Sequence, residues 1–132
     1  MLVSGKPFRT IWMTDESTVR IIDQRRLPWS FEVIDLHSVA ELAHAIKDMA
    51  VRGAGLIGAT AGYGMALAAR EAQTMAELEV LANQLTQTRP TAVNLSWAVN
   101  RQLQAIRAAD FAQGFQVSRA EAEDIANEDA SA

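Results

Sequence analysis

The sequence predicts an α+β fold: a small N-terminal antiparallel β-sheet of about three strands, followed by a bundle of four to five helices. Three observations predict it. β-branched and aromatic segments crowd into the first 36 residues. Ser/Thr-x-x-Glu signatures at Ser38, Thr74 and Ser118 then mark helix starts, because the hydroxyl and the carboxylate each satisfy a free N–H of the first turn. Between the first two lies a run of small and apolar residues, Gly53 to Ala69. Five of the seven glycines fall between Gly53 and Gly64. Glycine costs roughly 1 kcal/mol against alanine in a helix interior, so such a helix must be buried to form.

Taken in order, Arg9–Met13 and Thr18–Asp23 read as a hairpin across the polar turn Thr14-Asp15-Glu16-Ser17. A basic connection ends at Pro28, and Phe31–Leu36 alternates as a third strand. Ser38 with Glu41 opens a helix carrying Val39, Leu42, Ala43, Ile46, Met49 and Ala50 at helical spacing. The glycine-rich helix runs from about Gly55 to Ala72, with Gly58 and Gly62 on one face. Thr74 with Glu77 opens the next, which carries Met75, Leu78, Leu81, Ala82 and Leu85. Arg89-Pro90-Thr91 breaks the chain. A longer helix follows from about Ala92 to Ala109, with Val93, Trp97, Leu103 and Ile106 as core candidates. Phe111–Gln116 is expected as a loop. Ser118 with Glu121 is expected to start a last, acidic helix whose Glu121, Glu123, Asp124, Glu128 and Asp129 form a solvated face. That helix has no stop signal at Ala132, the pattern of a cut rather than a finished element; a frayed tail is the plainer alternative.

At 132 residues the chain suits one domain, residues 1–132, with the sheet in 1–36 and the bundle in 37–132. The net charge of −4 argues against nucleic acid as the main partner. The absence of cysteine excludes disulfides, a thiol nucleophile and a Cys-type zinc site. Residues 1–10 have no signal-peptide core, and the Gly53–Ala69 run is too short and glycine-rich to span a membrane. A cytoplasmic location is the default.

Arg52, followed by Gly53-Ala54 and the free N–H groups of a helix start, is the leading candidate for a phosphate site. Its plain alternative is a surface arginine at a helix–helix turn. Arg89 is second, placed in a connection from which a guanidinium can grip an anion with two N–H groups. The alternative is an arginine complementing a helix C-terminus. Asn94 suits a structural role in the Arg-Pro-Thr connection. His37 and His44 are seven apart, on no metal-ligand spacing, and read as helix-boundary and surface residues. No Ser-His-Asp set and no Walker-type loop is present.

Arg9-Thr10-Ile11-Trp12, Ile22-Asp23-Gln24 with Leu27-Pro28, Ala45–Ala54, Ile57-Gly58, Tyr63-Gly64, Thr88–Leu95 and Trp97-Ala98-Val99 occur in this order. They resemble the N-terminal domain of the methylthioribose-1-phosphate isomerases. That superfamily also holds ribose-1,5-bisphosphate isomerases and regulatory subunits of an initiation-factor exchange complex. Val-Arg-Gly-Ala and Arg-Pro-Thr-Ala-Val-Asn-Leu are the specific motifs, and the second favours the isomerase branch. The resemblance implies an aldose–ketose isomerisation of methylthioribose 1-phosphate to methylthioribulose 1-phosphate in methionine salvage. It carries substrate binding onto Arg52, Gly53, Ala54 and Arg89, and implies no metal or organic cofactor. Gly55-Leu56 stands where the family has Pro-Ala, which implies a looser loop and a weaker phosphate grip. The family's catalytic cysteine and aspartate belong to a Rossmann-like C-terminal domain. On this resemblance the chain holds about a third of the enzyme, has no catalytic residue of its own, and needs a separate catalytic domain to turn over.

Three readings remain open: the substrate-binding portion of the isomerase, a stand-alone sugar-phosphate-binding or regulatory domain, and an assembly module. If the catalytic domain is missing, the glycine-rich helix and the Trp97 helix are expected to expose an apolar patch, and the chain to form a homo-oligomer.

Overall fold

Alternation of side chains sets the sheet. Ile11, Met13, Val19, Ile21 and Leu36 are buried, while Arg20 and Asp35 between them are exposed. A computed structural model describes residues 2–3, 6–7, 11–14, 18–22, 33–48 and 54–131. Short strands β1 (Leu2–Val3) and β2 (Lys6–Pro7) pair with each other. Strands β3 (Ile11–Met13), β4 (Val19–Ile22) and β5 (Val33–Leu36) form the predicted antiparallel sheet in the order β3-β4-β5. The register aligns Ile11, Ile21 and Ile34 in one row and Met13, Val19 and Leu36 in another. On the outer face Arg20 Nε donates to Asp35 Oδ1 at 3.0 Å. The Asp15–Ser17 turn and the connection through Pro28 lie outside the described residues. The strands flanking that turn are held by Thr14 N–H to Thr18 O and Thr18 N–H to Thr14 Oγ1.

Five helices follow: α1 (Val39–Lys47), α2 (Ala54–Glu71), α3 (Met75–Thr88), α4 (Val93–Ala108) and α5 (Gly114–Ser131). Two of the predicted capping boxes are present. The Ser38 hydroxyl accepts from Glu41 N–H, and Glu41 Oε1 accepts from His37 N–H. Thr74 accepts from Glu77 N–H, and Glu77 Oε2 accepts from Gln73 N–H. Met49 and Ala50, expected on α1, lie outside the described residues.

Helix α2 is the axis of the molecule. Every residue from Leu56 to Ala69 is buried, which meets the condition that its glycines impose. Its contacts reach α1, α3, α4, α5 and β3, and the most extensive is with α5. Gly58 and Gly62 share a side, as their spacing predicts: Gly58 meets Asn94 of α4, and Gly62 meets Ala122 and Ile125 of α5. Gly64 faces the other way, against Leu42 of α1 and Leu85 of α3.

The third capping box is a correction. A short 3₁₀ turn, Phe111–Gln113, capped by Asp110, leads straight into α5 at Gly114. The predicted Phe111–Gln116 loop is therefore helical throughout, and Ser118 is a fully buried residue inside the helix. The Asp110 carboxylate already accepts from Ala112 N–H, so the chain is helical before Ser118 is reached. Glu121, expected in the solvated face, is half-buried and pairs with Arg101. Glu123 and Asp124 are exposed as expected. Its buried side chains are small, Ser118, Ala122 and Ala126, with Ile125 the largest of them, and half-buried Phe115 packs on the core near its start.

Val93 and Trp97 correct a second expectation. Ile106 is buried and Leu103 half-buried, but Val93 is 79% and Trp97 48% exposed. The buried face of α4 is instead Leu95, Ala98, Val99, Gln102 and Ile106. Gln102 reaches the core because its Nε2 donates to the carbonyls of Gly62 and Ser118, each at 2.9 Å, tying α4 to both α2 and α5. Sheet and bundle share one apolar cluster, and Arg119 Nη2 of α5 donates to Thr14 O beside the hairpin turn.

Candidate functional site

Arg89 is the site residue whose surroundings are visible. It terminates α3 in an extended conformation, with Pro90 next. The Ala92 N–H donates to Arg89 O at 2.9 Å, closing a four-residue turn with proline in its second position. This turn reverses the chain from α3 into α4. The Arg89 side chain is half-buried, its Nη1 is fully enclosed, and Nη1 has no hydrogen-bond partner. An arginine serving only to complement the end of α3 would donate to its last carbonyls. One of the carbonyls in that last turn, Leu85 O, is taken by the Thr88 hydroxyl at 2.6 Å. A guanidinium N–H left unpaired in a desolvated place is costly unless an acceptor arrives from outside.

The start of α4 has the complementary deficiency. Its N-cap is Ala92, which supplies no side-chain acceptor, and its first turn holds no acidic residue. The first turn of α2 likewise holds no acidic residue. Helices α2 and α4 meet at Gly58–Asn94 and again at Gly62–Gln102, contacts that advance in the same direction along both. The two helices therefore run parallel, with their N-termini at the same end of the bundle. Their dipoles place partial positive charge at that end, and free N–H groups point out of it. The helices are in ordinary contact there: a β-carbon at 58 would lie 3.5 Å from Asn94 O.

Of the other predicted site residues, Ala54 is the first residue of α2 and so belongs to this end of the bundle. Arg52 and Gly53 lie outside the described residues. Gly55 and Leu56 are helical, so the first turn of α2 forms without proline. Asn94 is a first-turn residue of α4 packed on Gly58, not its cap. The bare α4 N-terminus is the feature that residue-by-residue reading missed. Its only signal is alanine at the N-cap position between Thr91 and Asn94. His37 Nδ1 lies 3.3 Å from the Thr18 hydroxyl, and exposed His44 pairs with Asp48 one turn on. Among the described residues no group of His, Cys, Asp and Glu could hold a metal ion.

The architecture defines an α+β domain, a small antiparallel sheet feeding a bundle wound on one glycine-rich helix, with α2 and α4 starting at one end and no side-chain cap on α4. The chain belongs to the Initiation factor 2 subunit family, whose profile matches residues 50–132. It is 47% identical over 131 residues to the methylthioribose-1-phosphate isomerase of Acidiphilium cryptum (strain JF-5), covering 98% of this chain and 36% of that one. It is 50% identical over 130 residues to that of Methylocella silvestris, with the same coverage. Among solved structures, the translation initiation factor eIF-2B subunit delta from A. fulgidus superposes with a TM-score of 0.85 at 40% identity, over 92% of this chain and 37% of that one. The 5-methylthioribose 1-phosphate isomerase from Pyrococcus horikoshii OT3 gives 0.83 at 40% identity, over 93% and 37%. The chain thus spans about a third of the length of the curated relatives it matches.

Proposed function

We propose that this chain is the substrate-binding part of an aldose–ketose isomerase that converts methylthioribose 1-phosphate to methylthioribulose 1-phosphate, a step of methionine salvage in the cytoplasm. The observation that carries the proposal is the enclosed, unpartnered Nη1 of Arg89 at the end of the bundle where α2 and α4 both begin. A phosphate there accepts from the guanidinium and from first-turn N–H groups, the combination that helix N-termini and arginine suit best. In this reading Arg52, Gly53 and Ala54 supply the α2 side of the cradle and Arg89 the other side. The sheet and bundle act as one domain over residues 1–132 that presents the phosphate, while the acid–base chemistry is done by groups outside these residues.

Calorimetric titration of the chain with methylthioribose 1-phosphate tests this. Binding is expected, and Arg89→Ala is expected to weaken it by about 1.5–3 kcal/mol, the worth of a charge-assisted hydrogen bond, or roughly 10–100-fold. Arg52→Ala is expected to act in the same direction. Inorganic phosphate is expected to compete. The similarity to the eIF-2B delta subunit favours one other reading, an assembly module without a ligand. Absence of binding heat, with Arg89→Ala indistinguishable from the parent, would select it.

A further inference from the structure

The end of the bundle away from Arg89 has a groove of its own. Helix α2 ends there at Glu71, about 25 Å from its first turn at the usual helical rise, and α3 begins there at Met75. Glu71, Ala72, Glu77, Val80 and Leu81 line a cavity of about 320 Å³ between the two helices, open to solvent. Its floor is apolar. Ala72 is buried, half-buried Leu81 packs on the core, and Val80 is 59% exposed although its exposed neighbours on α3, Glu79, Asn83 and Gln84, are polar.

The two glutamates come from opposite walls, and each is fixed by a backbone N–H. Glu71 Oε2 accepts from Val39 N–H at 2.7 Å, and Glu77 Oε2 accepts from Gln73 N–H at 2.6 Å. Each keeps a second oxygen, and among the described residues neither forms an ion pair. Helix α3 contains no lysine or arginine, and the Arg70 guanidinium donates to His37 O. Two fixed anions over an apolar floor are complemented by a cation at each end of an aliphatic stem. A bare metal ion has no use for the floor, and no group of three metal-ligating side chains exists among the described residues. A protein partner needs roughly 800 Å² of surface, whereas a cavity of this volume suits a small molecule. We propose that the groove between the end of α2 and the start of α3 binds an aliphatic diamine, one ammonium on Glu71, the other on Glu77, and the methylene chain over Val80 and Leu81. The proposal does not depend on the phosphate reading at the Arg89 end.

The test is a titration of the isotope-labelled chain at low salt, followed through the methyl signals of Val80 and Leu81 by magnetic resonance. The probes are cadaverine as the diamine, pentylamine as its singly charged counterpart, and magnesium chloride. Cadaverine is expected to shift both residues' signals with a dissociation constant in the millimolar range, about fivefold tighter than pentylamine, the upper range for one ion pair open to solvent. Glu71→Gln and Glu77→Gln keep an acceptor for the Val39 and Gln73 N–H groups, so the fold is expected to hold. Each is expected to bring cadaverine down to the level of pentylamine, and Arg89→Ala to leave its binding unchanged. Equal binding of cadaverine and pentylamine by the parent chain overturns the proposal, and this comparison decides even if a variant fails to fold. Cadaverine binding that survives both glutamate substitutions together overturns it as well. So does displacement of cadaverine by an equal concentration of magnesium, which would assign the carboxylates to a metal ion.

Discussion

Gly64 occupies a place where no β-carbon fits. A methyl there would lie 2.8 Å from Leu42 Cδ2 and 3.2 and 3.3 Å from the two methyls of Leu85. Both leucines are fully buried, so Leu42 cannot swing clear without displacing its own neighbours. Overpacking of this kind costs about 1–3 kcal/mol, against a helix-propensity gain of roughly 1 kcal/mol. Gly64→Ala is therefore expected to lower stability by about 1 kcal/mol. Gly58→Ala meets only ordinary van der Waals contacts, 3.5 and 3.6 Å from Asn94, and is expected to raise stability by up to about 1 kcal/mol. Urea unfolding of the two variants checks the difference in sign; equal effects would mean that the α1–α2–α3 contact is looser than described. The requirement for glycine in α2 is legible in the sequence, but which glycines are indispensable is not. The answer depends on side chains from α1 and α3, more than 20 residues away on either side. Arg89 shows a similar division. Its type and its proline neighbour mark it in the sequence, whereas the enclosure of Nη1 depends on how α3 turns into α4.

At the scale of elements, the Ser/Thr-x-x-Glu pattern occurs three times and caps twice. Ser38 and Thr74 accept from the N–H three residues on. Ser118 carries the same pattern inside a helix, and its Oγ is buried without a partner. The pattern is local, and what overrides it is the earlier start at Asp110 together with the burial of Gly114 against Ile106 and Ala69. Alanine substitution separates the two situations by sign. Ser38→Ala and Thr74→Ala are each expected to cost about 1 kcal/mol, the usual worth of a lost N-cap. Ser118→Ala removes an unsatisfied hydroxyl and adds a better helix former, so stability is expected to hold or to rise by a few tenths of a kcal/mol to about 1 kcal/mol. A loss at position 118 as large as at 38 and 74, in thermal unfolding, would restore it as a cap. Helix α5 also shows why a helix poor in large apolar residues can hold the most extensive interface of the bundle. Ala122 and Ile125 fill the space that Gly62 leaves, so smallness on both helices substitutes for bulk on one. Sequence periodicity weighs large side chains and therefore undervalues this pairing. Trp97 errs in the opposite direction: its size suggests core, but Leu95, Ala98, Val99 and Gln102 are the residues of α4 turned inward.

At the scale of the whole molecule, the stretch of α2 from Leu56 to Ala69 contributes nothing to an exposed apolar patch, since the chain's own elements cover all of it. The self-association expected from such a patch is left with Val93 and Trp97 of α4 as its source. Among the described residues, the end of the bundle where α2 and α4 begin holds the enclosed, unpartnered Nη1 of Arg89 and an α4 start without a side-chain cap. A phosphate held there, as proposed above, still needs groups that can process it. Moving a proton between two carbons of a sugar phosphate requires a general acid and base within hydrogen-bond reach and a site closed to water. The 132 residues include no cysteine, and both histidines already have local partners: His37 Nδ1 lies 3.3 Å from the Thr18 hydroxyl, and exposed His44 pairs with Asp48. The chain alone is therefore expected to bind methylthioribose 1-phosphate and to leave it unconverted over hours, as followed by phosphorus magnetic resonance of the sugar phosphate. Appearance of methylthioribulose 1-phosphate, abolished in Arg89→Ala, would show that an acid–base pair is present within these residues and would move the search for it to the residues around Arg52.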